Sequence, residues 1–355
     1  MLDPEHTTGG SVVTGDDEDA TPAAARRLIE VGCDESGSDG ENLTGGNTDV
    51  FAHAGVRLPV PDAAEYVQQI RDWIRSPASE YKANHLLREK HRAVLEWLLA
   101  PGGPIHGTAT VHLTEKAYFV VDRALDLLLD DPGAALPLYR RGPGLFGRER
   151  WREFLLAANR LLRVRDEGAP EAPVDAFFRT VSHLLPLSGD DEVADTLHRL
   201  AAARPRADAY RAELLTGPPL IPVLNPLLPA IVATAAHWSR GGAAVRLVHD
   251  RQNMLTPDRI EWIEHRARRA GVRLTGVELV VSLDDPRVQL ADFLAGIARR
   301  IADDELGGRG DPVLAALLRP YVDPASVWGD AAAGALLGVP DGIRAAPSAT
   351  VNSPA

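Results

Sequence analysis

The order of hydrophobic patterns along the chain is the feature that most restricts its fold. Short apolar runs and alternating apolar residues predict five strands, at residues 28–34, 50–58, 105–113, 243–248 and 277–283. Between them, apolar residues at helical spacing predict helices, the last main one beginning at Pro286. The polar loop 37–49 favours an antiparallel hairpin of the first two strands, whereas the later strands need crossover connections. This order predicts an α/β fold around a mixed sheet.

The segment 133–241 has no strand pattern and contains only helix-like and proline-rich stretches. We interpret it as a large helical insertion within a single domain that spans residues 29–330. The acidic, Gly- and Thr-rich segment 1–28 and the Pro-, Ala- and Ser-rich segment 340–355 lack any periodicity, so we expect both to be disordered tails.

The net charge of −12 is distributed unevenly. Residues 1–50 hold 12 acids and 2 bases, and the remaining residues hold 38 acids and 36 bases, so the folded part is close to neutral. Total charge therefore neither supports nor excludes a nucleic-acid partner. The single cysteine, Cys33, is typical of a reducing cytoplasm. The longest apolar stretch, residues 218–238, is interrupted by prolines, so we expect no membrane span and no signal peptide.

The first acidic motif stands at the end of the first predicted strand. Asp34 and Glu35 follow an apolar run and precede Ser36 and Gly37. Neighbouring side chains on a strand point to opposite faces, so only one of the two acids aims at a shared site, and Asp34 is our choice. The alternative is a solvated turn, since Asp, Ser and Gly are common turn residues. The spacing fits neither a calcium loop of the EF-hand type nor a nucleophilic serine elbow.

The second acidic motif lies inside the last predicted helix. Asp292 is surrounded by apolar residues, and it shares one side of the helix with Gln289 and Gly296. Burial of an acid is costly unless a partner, a metal ion or a catalytic role compensates for it. The alternative is a structural ion pair between Asp292 and Arg299 or a nearby arginine.

Three further acids stand at element ends. Asp250 ends a predicted strand, where ligands gather in α/β folds, although a turn-initiating role is the alternative. Glu80 lies in the first turn of a helix, where the helix dipole favours an acid. Glu115 lies between a predicted strand and the helix that begins with Lys116. The scattered histidines and the absence of a phosphate-binding glycine loop argue against a zinc site or a nucleotide fold.

Four segments in this order resemble a bacterial family catalogued as domain of unknown function 3800. They are Asp34-Glu35-Ser36-Gly37, Glu80-Tyr81-Lys82, His249-Asp250 and the segment from Gln289 to Gly296. The resemblance covers about residues 29–305. It implies a ribonuclease-H-like mixed sheet flanked by helices, from which the large helical insertion at about 133–241 is a departure. Such an insertion would cover the site or hold a partner.

The resemblance also implies an acidic site that is built from several elements. The implied catalytic residues are Asp34, Glu80, Asp250 and Asp292, and the implied metal ligands are Asp34, Glu35, Glu115, Asp250 and Asp292. Oxygen ligands of this kind suit Mg²⁺ or Mn²⁺, and two such ions about 4 Å apart would support phosphodiester cleavage. The candidates for phosphate contacts are Lys82, Lys116, Gln289 and Arg299.

Three functions follow as hypotheses. The first is a cytoplasmic, metal-dependent phosphodiesterase that acts on nucleic acid as a nuclease. The second is a non-enzymatic binding module on the same fold, whose helical insertion recognises a protein or a nucleic acid. The third is a hydrolase with two carboxylates, as in glycoside cleavage; it ranks last because an aromatic content of 5% offers few surfaces for sugar stacking.

Overall fold

A five-stranded mixed sheet forms the centre of the protein. The computed structural model describes residues 28–75, 81–131, 133–165 and 171–341. In chain order the strands are β1 (Ile29–Ser36), β2 (Val50–Val56), β3 (Ala109–Glu115), β4 (Val245–Asp250) and β5 (Leu274–Val280). Their order in the sheet is β3-β2-β1-β4-β5. The pairs β1–β2 and β2–β3 are antiparallel, whereas β1–β4 and β4–β5 are parallel. The prediction of an α/β fold with a mixed sheet is confirmed.

Fourteen α-helices are present in the described residues. They are α1 (Val60–Ile74), α2 (Ala83–Leu86), α3 (Arg92–Leu99), α4 (Lys116–Leu129), α5 (Ala135–Phe146), α6 (Arg148–Leu162), α7 (Pro173–Leu184), α8 (Asp191–Ala202), α9 (Arg204–Thr216), α10 (Leu227–Trp238), α11 (Pro257–Arg269), α12 (Pro286–Leu306), α13 (Pro312–Leu318) and α14 (Ala331–Leu337). The predicted disordered tails lie almost wholly outside the described residues. No described helix is long and apolar enough to cross a membrane.

The fifth strand lies earlier in the chain than its alternating residues predict. It ends at Val280, and Ser282–Asp284 forms a short 3-10 turn instead of continuing the strand. This turn leads into α12, which Asp285 caps by accepting a hydrogen bond from the backbone N–H of Arg287 at 2.9 Å. The predicted strand therefore contained the second half of β5 and the start of the loop that positions α12.

One face of the sheet is covered by α12, which crosses β1 and β2. Close approach is possible because β1 carries a glycine at the crossing: a Cβ on Gly32 would lie 2.5 Å from Cβ of Arg287. Around α12, the helices α1, α3, α13 and α14 complete a core with the alanines and valines of β2. The opposite face of the sheet packs against α10 and α11. Each side of the sheet thus has its own helical layer.

The described part of segment 133–241 is helical and contains no strand. The helices α4 to α9 bury a separate apolar core, which includes the stacked rings of Trp151 and Phe154 at 5.1 Å. The last helix of this segment, α10, instead packs on the sheet. The segment therefore contributes both a helical bundle beside the sheet and one helix of the sheet's own covering layer.

Candidate functional site

Two aspartates end neighbouring parallel strands on the same face of the sheet. Cys33 of β1 pairs with His249 of β4, so the next residues, Asp34 and Asp250, lie side by side at the carboxyl ends of these strands. Both are on the face that α12 covers, where Asp292 extends from the helix. The register of the sheet and the crossing of α12 therefore bring together Asp34, Asp250 and Asp292.

Asp34 is the most deeply buried acid of this group. It is only 5% exposed, and the hydrogen bond that its Oδ1 accepts comes from the backbone N–H of Glu35 at 2.8 Å. Burial raises the pKa of Asp34 to about 9, and the charges of Glu35, Asp292 and Asp250 add to the increase. A carboxyl with this pKa is protonated at neutral pH, which relieves its repulsion with the neighbouring carboxylates.

The other two aspartates have fixed neighbours. Asp250 Oδ1 accepts a hydrogen bond from the backbone N–H of Ser282 at 3.0 Å, so the turn before α12 is tied to the end of β4. Asp292 Oδ1 lies 3.9 Å from the ammonium Nζ of Lys82, whose side chain is 45% exposed. The site therefore contains one cation at its open side.

Lys82 reaches Asp292 because α2 approaches α12 very closely. Gly296 of α12 faces Ala83, and a Cβ on this glycine would lie only 2.2 Å from Cβ of Ala83. Lys82 immediately precedes α2, and its backbone N–H donates to Nδ1 of His85 at 3.2 Å. Gly296 thus allows α2 to approach α12 closely.

Glu35 points to the opposite face, as the strand alternation predicted for one of the two acids. Its Oε2 lies 3.6 Å from Nε2 of His249, and burial is the main cause that raises the pKa of Glu35. His249 Nδ1 lies 2.8 Å from the backbone carbonyl oxygen of Asp250, which can only accept. Nδ1 therefore carries a proton, and Nε2 faces the glutamate.

Two further histidines lie near His249 on this face of the sheet, and the sequence analysis identified neither of them. His53 stacks on His249 with ring centroids 5.3 Å apart, and its register partner on β3 is His112. Burial lowers the pKa of both, that of His53 to well below its usual range. The only signal in the sequence was a lone histidine within each apolar strand, a pattern that usually marks a buried histidine of the core.

The structure does not bring Glu115 to the site, which corrects that prediction. β2 separates β3 from β1, and Glu115 pairs with Val50 of β2 whereas Asp34 pairs with Ala54. The two acids therefore lie two strands and four residues apart, roughly 16 Å. Glu115 accepts hydrogen bonds from the hydroxyl of Tyr139 and from the backbone N–H groups of Gly329 and Asp330, at 2.7 and 2.9 Å for the latter two. The carboxylate therefore holds the C-terminal segment and α5 against β3.

Lys116 binds other groups of the protein, which corrects its assignment as a phosphate contact. Its side chain is buried, and its ammonium binds the carboxylate of Asp39 and the backbone oxygen of Thr48, the latter at 3.0 Å. These bonds anchor the loop between β1 and β2. A phosphate could reach this lysine only if the loop were displaced.

The remaining candidates have mixed outcomes. Arg299 donates to Ser36 Oγ at 3.1 Å and to Asp303 at 2.6 Å, so neither the predicted pair with Asp292 nor an open phosphate contact is formed. Gln289 is buried on α12. Glu80 lies outside the described residues. The structure therefore brings the three aspartates and Lys82 together, and it places Glu115, Lys116 and Arg299 in other contacts.

The donor chemistry of the site suits a hard divalent cation. Carboxylate oxygens are the preferred protein ligands of Mg²⁺ and Mn²⁺, and a cation would favour the ionised form of Asp34, which burial and the neighbouring acids disfavour. Within the described ranges, no group of three or more His, Cys, Asp or Glu side chains is arranged to hold a metal ion. Comparisons with protein-family models, curated proteins and solved structures gave no match to the chain.

Proposed function

We propose that the protein is a metal-dependent phosphodiesterase, and specifically a nuclease that uses Mg²⁺ or Mn²⁺. The observation that carries the proposal is the group of Asp34, Asp250 and Asp292, of which Asp34 is buried and the other two are partly buried. They come from two adjacent strand ends and one crossing helix. The charges of the neighbouring acids add to the raised pKa of Asp34, and Lys82 lies 3.9 Å from Asp292. Acids that cluster at strand ends in this way are typical of cation-binding sites, which supports a role in cation binding.

The proposal includes a ribonuclease-H-like fold and membership of the family that the sequence motifs resemble. An antiparallel hairpin followed by parallel crossovers supports this interpretation of the sheet. In this scheme, segment 133–241 is the helical insertion, whose last helix, α10, packs on the sheet. The core that α5 to α9 share with α4 supports the idea that these helices were added beside the sheet without changing its strand order.

Each residue of the site has a distinct part in this proposal. Asp34, Asp250 and Asp292 would hold the cation, which when bound supplies Lewis-acid activation of the phosphodiester and of the attacking water. Lys82 would bind a phosphate oxygen, since its partly exposed ammonium lies at the open side of the acids. Ser282 and Gly296 act indirectly, because they fix the positions of Asp250 and of the α2–α12 contact.

The decisive experiment is cleavage of labelled single- and double-stranded DNA, RNA and hybrid, with Mg²⁺ or Mn²⁺. The variant Asp34→Asn/Asp292→Asn should lose cleavage and cation binding, the latter measured by calorimetry. Asp284→Asn, which neutralises an exposed acid before α12, is the matched control and should behave as wild type. Unchanged cation binding by the double variant would refute the proposal.

The alternative is a binding module without catalysis. The observation that favours it is the helical bundle with its own core, which offers a surface apart from the acidic site. Cation binding without cleavage of any substrate by the wild type would shift the interpretation to this alternative. A search for a partner of the bundle would then be the next step.

A further inference from the structure

We propose that the acidic segment 16–19 of this chain binds a groove at the edge of the sheet where the parallel strands begin. The segment consists of Asp16-Asp17-Glu18-Asp19 and lies outside the described residues. We call its partner the arginine groove, which is lined by Arg268, Gly271, Val272, Arg273, Leu274 and Thr275. The inference does not rest on the proposed function, because Asp34 and Asp250 lie at the opposite edge of the sheet.

The first observation is the groove itself, which is open to solvent and has a volume of about 340 Å³. It forms where α11 ends and β5 begins. Gly271 makes this turn with a φ of 72°, a conformation that glycine adopts without strain. The turn brings Arg268 from the end of the helix and Arg273 from the start of the strand to the same groove, and both arginines are exposed.

The second observation is the charge of this turn. Residues 265–277 contain four Arg and no Asp or Glu. Arg268 donates a hydrogen bond to the backbone oxygen of Glu264 at 3.4 Å, and Arg273 donates one to the backbone oxygen of Gly242 at 3.0 Å. Backbone oxygens orient the guanidinium groups, but they do not carry the full negative charge that would neutralise them. A row of carboxylates is therefore a partner that this groove attracts.

The third observation is the place where the acidic segment joins the sheet. Leu28, the first described residue, is 40% exposed and directly precedes β1. Ile29 pairs with Val245, which pairs in turn with Leu274, so the starts of β1 and β5 are about 10 Å apart. The arginine groove thus lies two strands from the point where the segment joins the sheet.

The length of the connecting chain fits this path. Asp19 lies nine residues before Leu28, and nine residues span at most about 30 Å when extended. Attachment to the same chain raises the effective concentration of the acids at the groove to the order of 1 mM. At the other edge of the sheet, Asp250 and Asp292 would repel an acidic run, whereas the groove offers arginines.

The test is zero-length cross-linking of the full chain with a carbodiimide, which joins a carboxylate to a lysine amine that contacts it. Arg273→Lys places an amine in the groove, and Arg148→Lys, at an exposed arginine of α6, is the matched control. Mass spectrometry of the monomer should find cross-links from position 273 to residues 16–19 and none from position 148. Because salt screens the charges, about 1 M NaCl should lower the yield roughly tenfold. Absence of the cross-link from position 273, or its presence in dimers alone, would overturn the inference.

Heparin chromatography tests whether the segment covers the groove. The segment is neutralised in the variant Asp16→Asn/Asp17→Asn/Glu18→Gln/Asp19→Asn. This variant should elute at a higher salt concentration than wild type, because the groove is free to bind the polyanion. The increase should disappear in an Arg268→Ala/Arg273→Ala background and remain in an Arg148→Ala/Arg152→Ala background, and thermal melting confirms that each variant is folded. Equal increases in the two backgrounds would overturn the inference, since the segment would then act through net charge alone.

Discussion

Two carboxylates lie buried at the same edge of the sheet in opposite surroundings. Glu115, at the end of β3, accepts hydrogen bonds from one hydroxyl and two backbone N–H groups. Asp34, at the end of β1, accepts one hydrogen bond from its own neighbour and faces the charges of three other acids. Burial raises the pKa of both, but hydrogen bonds offset the increase mainly at Glu115. A buried acid with matched donors stabilises the fold, whereas one among like charges indicates a site.

The comparison is tested most severely by removing Glu115. Glu115→Ala should lower the free energy of unfolding by about 3–4 kcal/mol, because three buried donors lose their acceptor. Glu65→Ala removes an exposed acid from α1 and serves as the control. Urea denaturation measures both variants. A loss for Glu115→Ala no larger than that of the control would show that the hydrogen bonds of Glu115 do not stabilise the fold.

The same contrast between a residue that stabilises the fold and a residue of the site can be tested with Lys116 and Lys82. Lys116→Met should cost about 2 kcal/mol, since the buried ammonium holds Asp39 and Thr48. Lys82→Met should change stability by less than about 1 kcal/mol, because its partner Asp292 lies at 3.9 Å and its side chain is partly exposed. Nucleic-acid binding should show the reverse ranking, with Lys82→Met the more damaging. Equal effects of both variants on binding would remove the functional distinction between these lysines.

The contact between α2 and α12 can be tested with two helix glycines. Gly296→Ala should cost about 2 kcal/mol, because the added methyl meets Ala83, and it should weaken cation binding by displacing Lys82 and Asp292. Gly144→Ala adds the same methyl to α5 where no atom lies within 4 Å, so it should be neutral or slightly stabilising. Thermal melting and calorimetry separate the two effects. If both variants melt alike, the close approach of α2 and α12 is not what positions the site.

The smallest expected change in stability is a gain instead of a loss. In chelator at pH 8, Asp34→Asn should stabilise the protein by about 1 kcal/mol, since asparagine needs no proton, whereas folding of the wild type at this pH requires Asp34 to take one up. A folded-state pKa of about 9, raised from an ordinary value of 3.8, means that the folded protein holds this proton more tightly than the unfolded chain. The contribution of Asp34 is therefore complete below pH 3.8 and is lost as the pH rises toward 9.

The difference between variant and wild type should accordingly vanish near pH 4 and grow toward pH 9. Saturating Mn²⁺ should raise the melting temperature of wild type and leave that of Asp34→Asn nearly unchanged. Thermal melts at pH 4, 6, 8 and 9 measure this trend. A variant less stable than wild type at pH 8 in chelator would mean that Asp34 is a structural acid like Glu115.

Much of the fold could be predicted from local patterns. The alternation of apolar residues identified five strands, and the prolines at 257 and 286 marked helix starts correctly. The errors lay at boundaries: the fifth strand was placed three residues late, since Val281 and Leu283 continue the alternation but belong to a turn. Periodicity reports which residues are apolar, and it does not report where a backbone leaves the sheet.

The candidate site was predictable only in part. Asp34 and Asp292 were conspicuous because each acid stands among apolar residues, and a local sequence window contains that information. Glu115 has the same local appearance, yet its donors come from Tyr139, Gly329 and Asp330, which are distant in the sequence. The histidines that line the opposite face become neighbours through strand pairing alone.

The sequence by itself therefore determined the element types, the mixed sheet and a set of acids at element ends. These follow from spacing and from the cost of burying charge, both of which act over a few residues. The tertiary structure decided which acids meet: the β1–β4 register aligned Asp34 with Asp250, and the crossing of α12 over Gly32 brought Asp292 to them. Side-chain direction and charge pairing depend on contacts between distant segments, and those contacts exist only once the chain has folded.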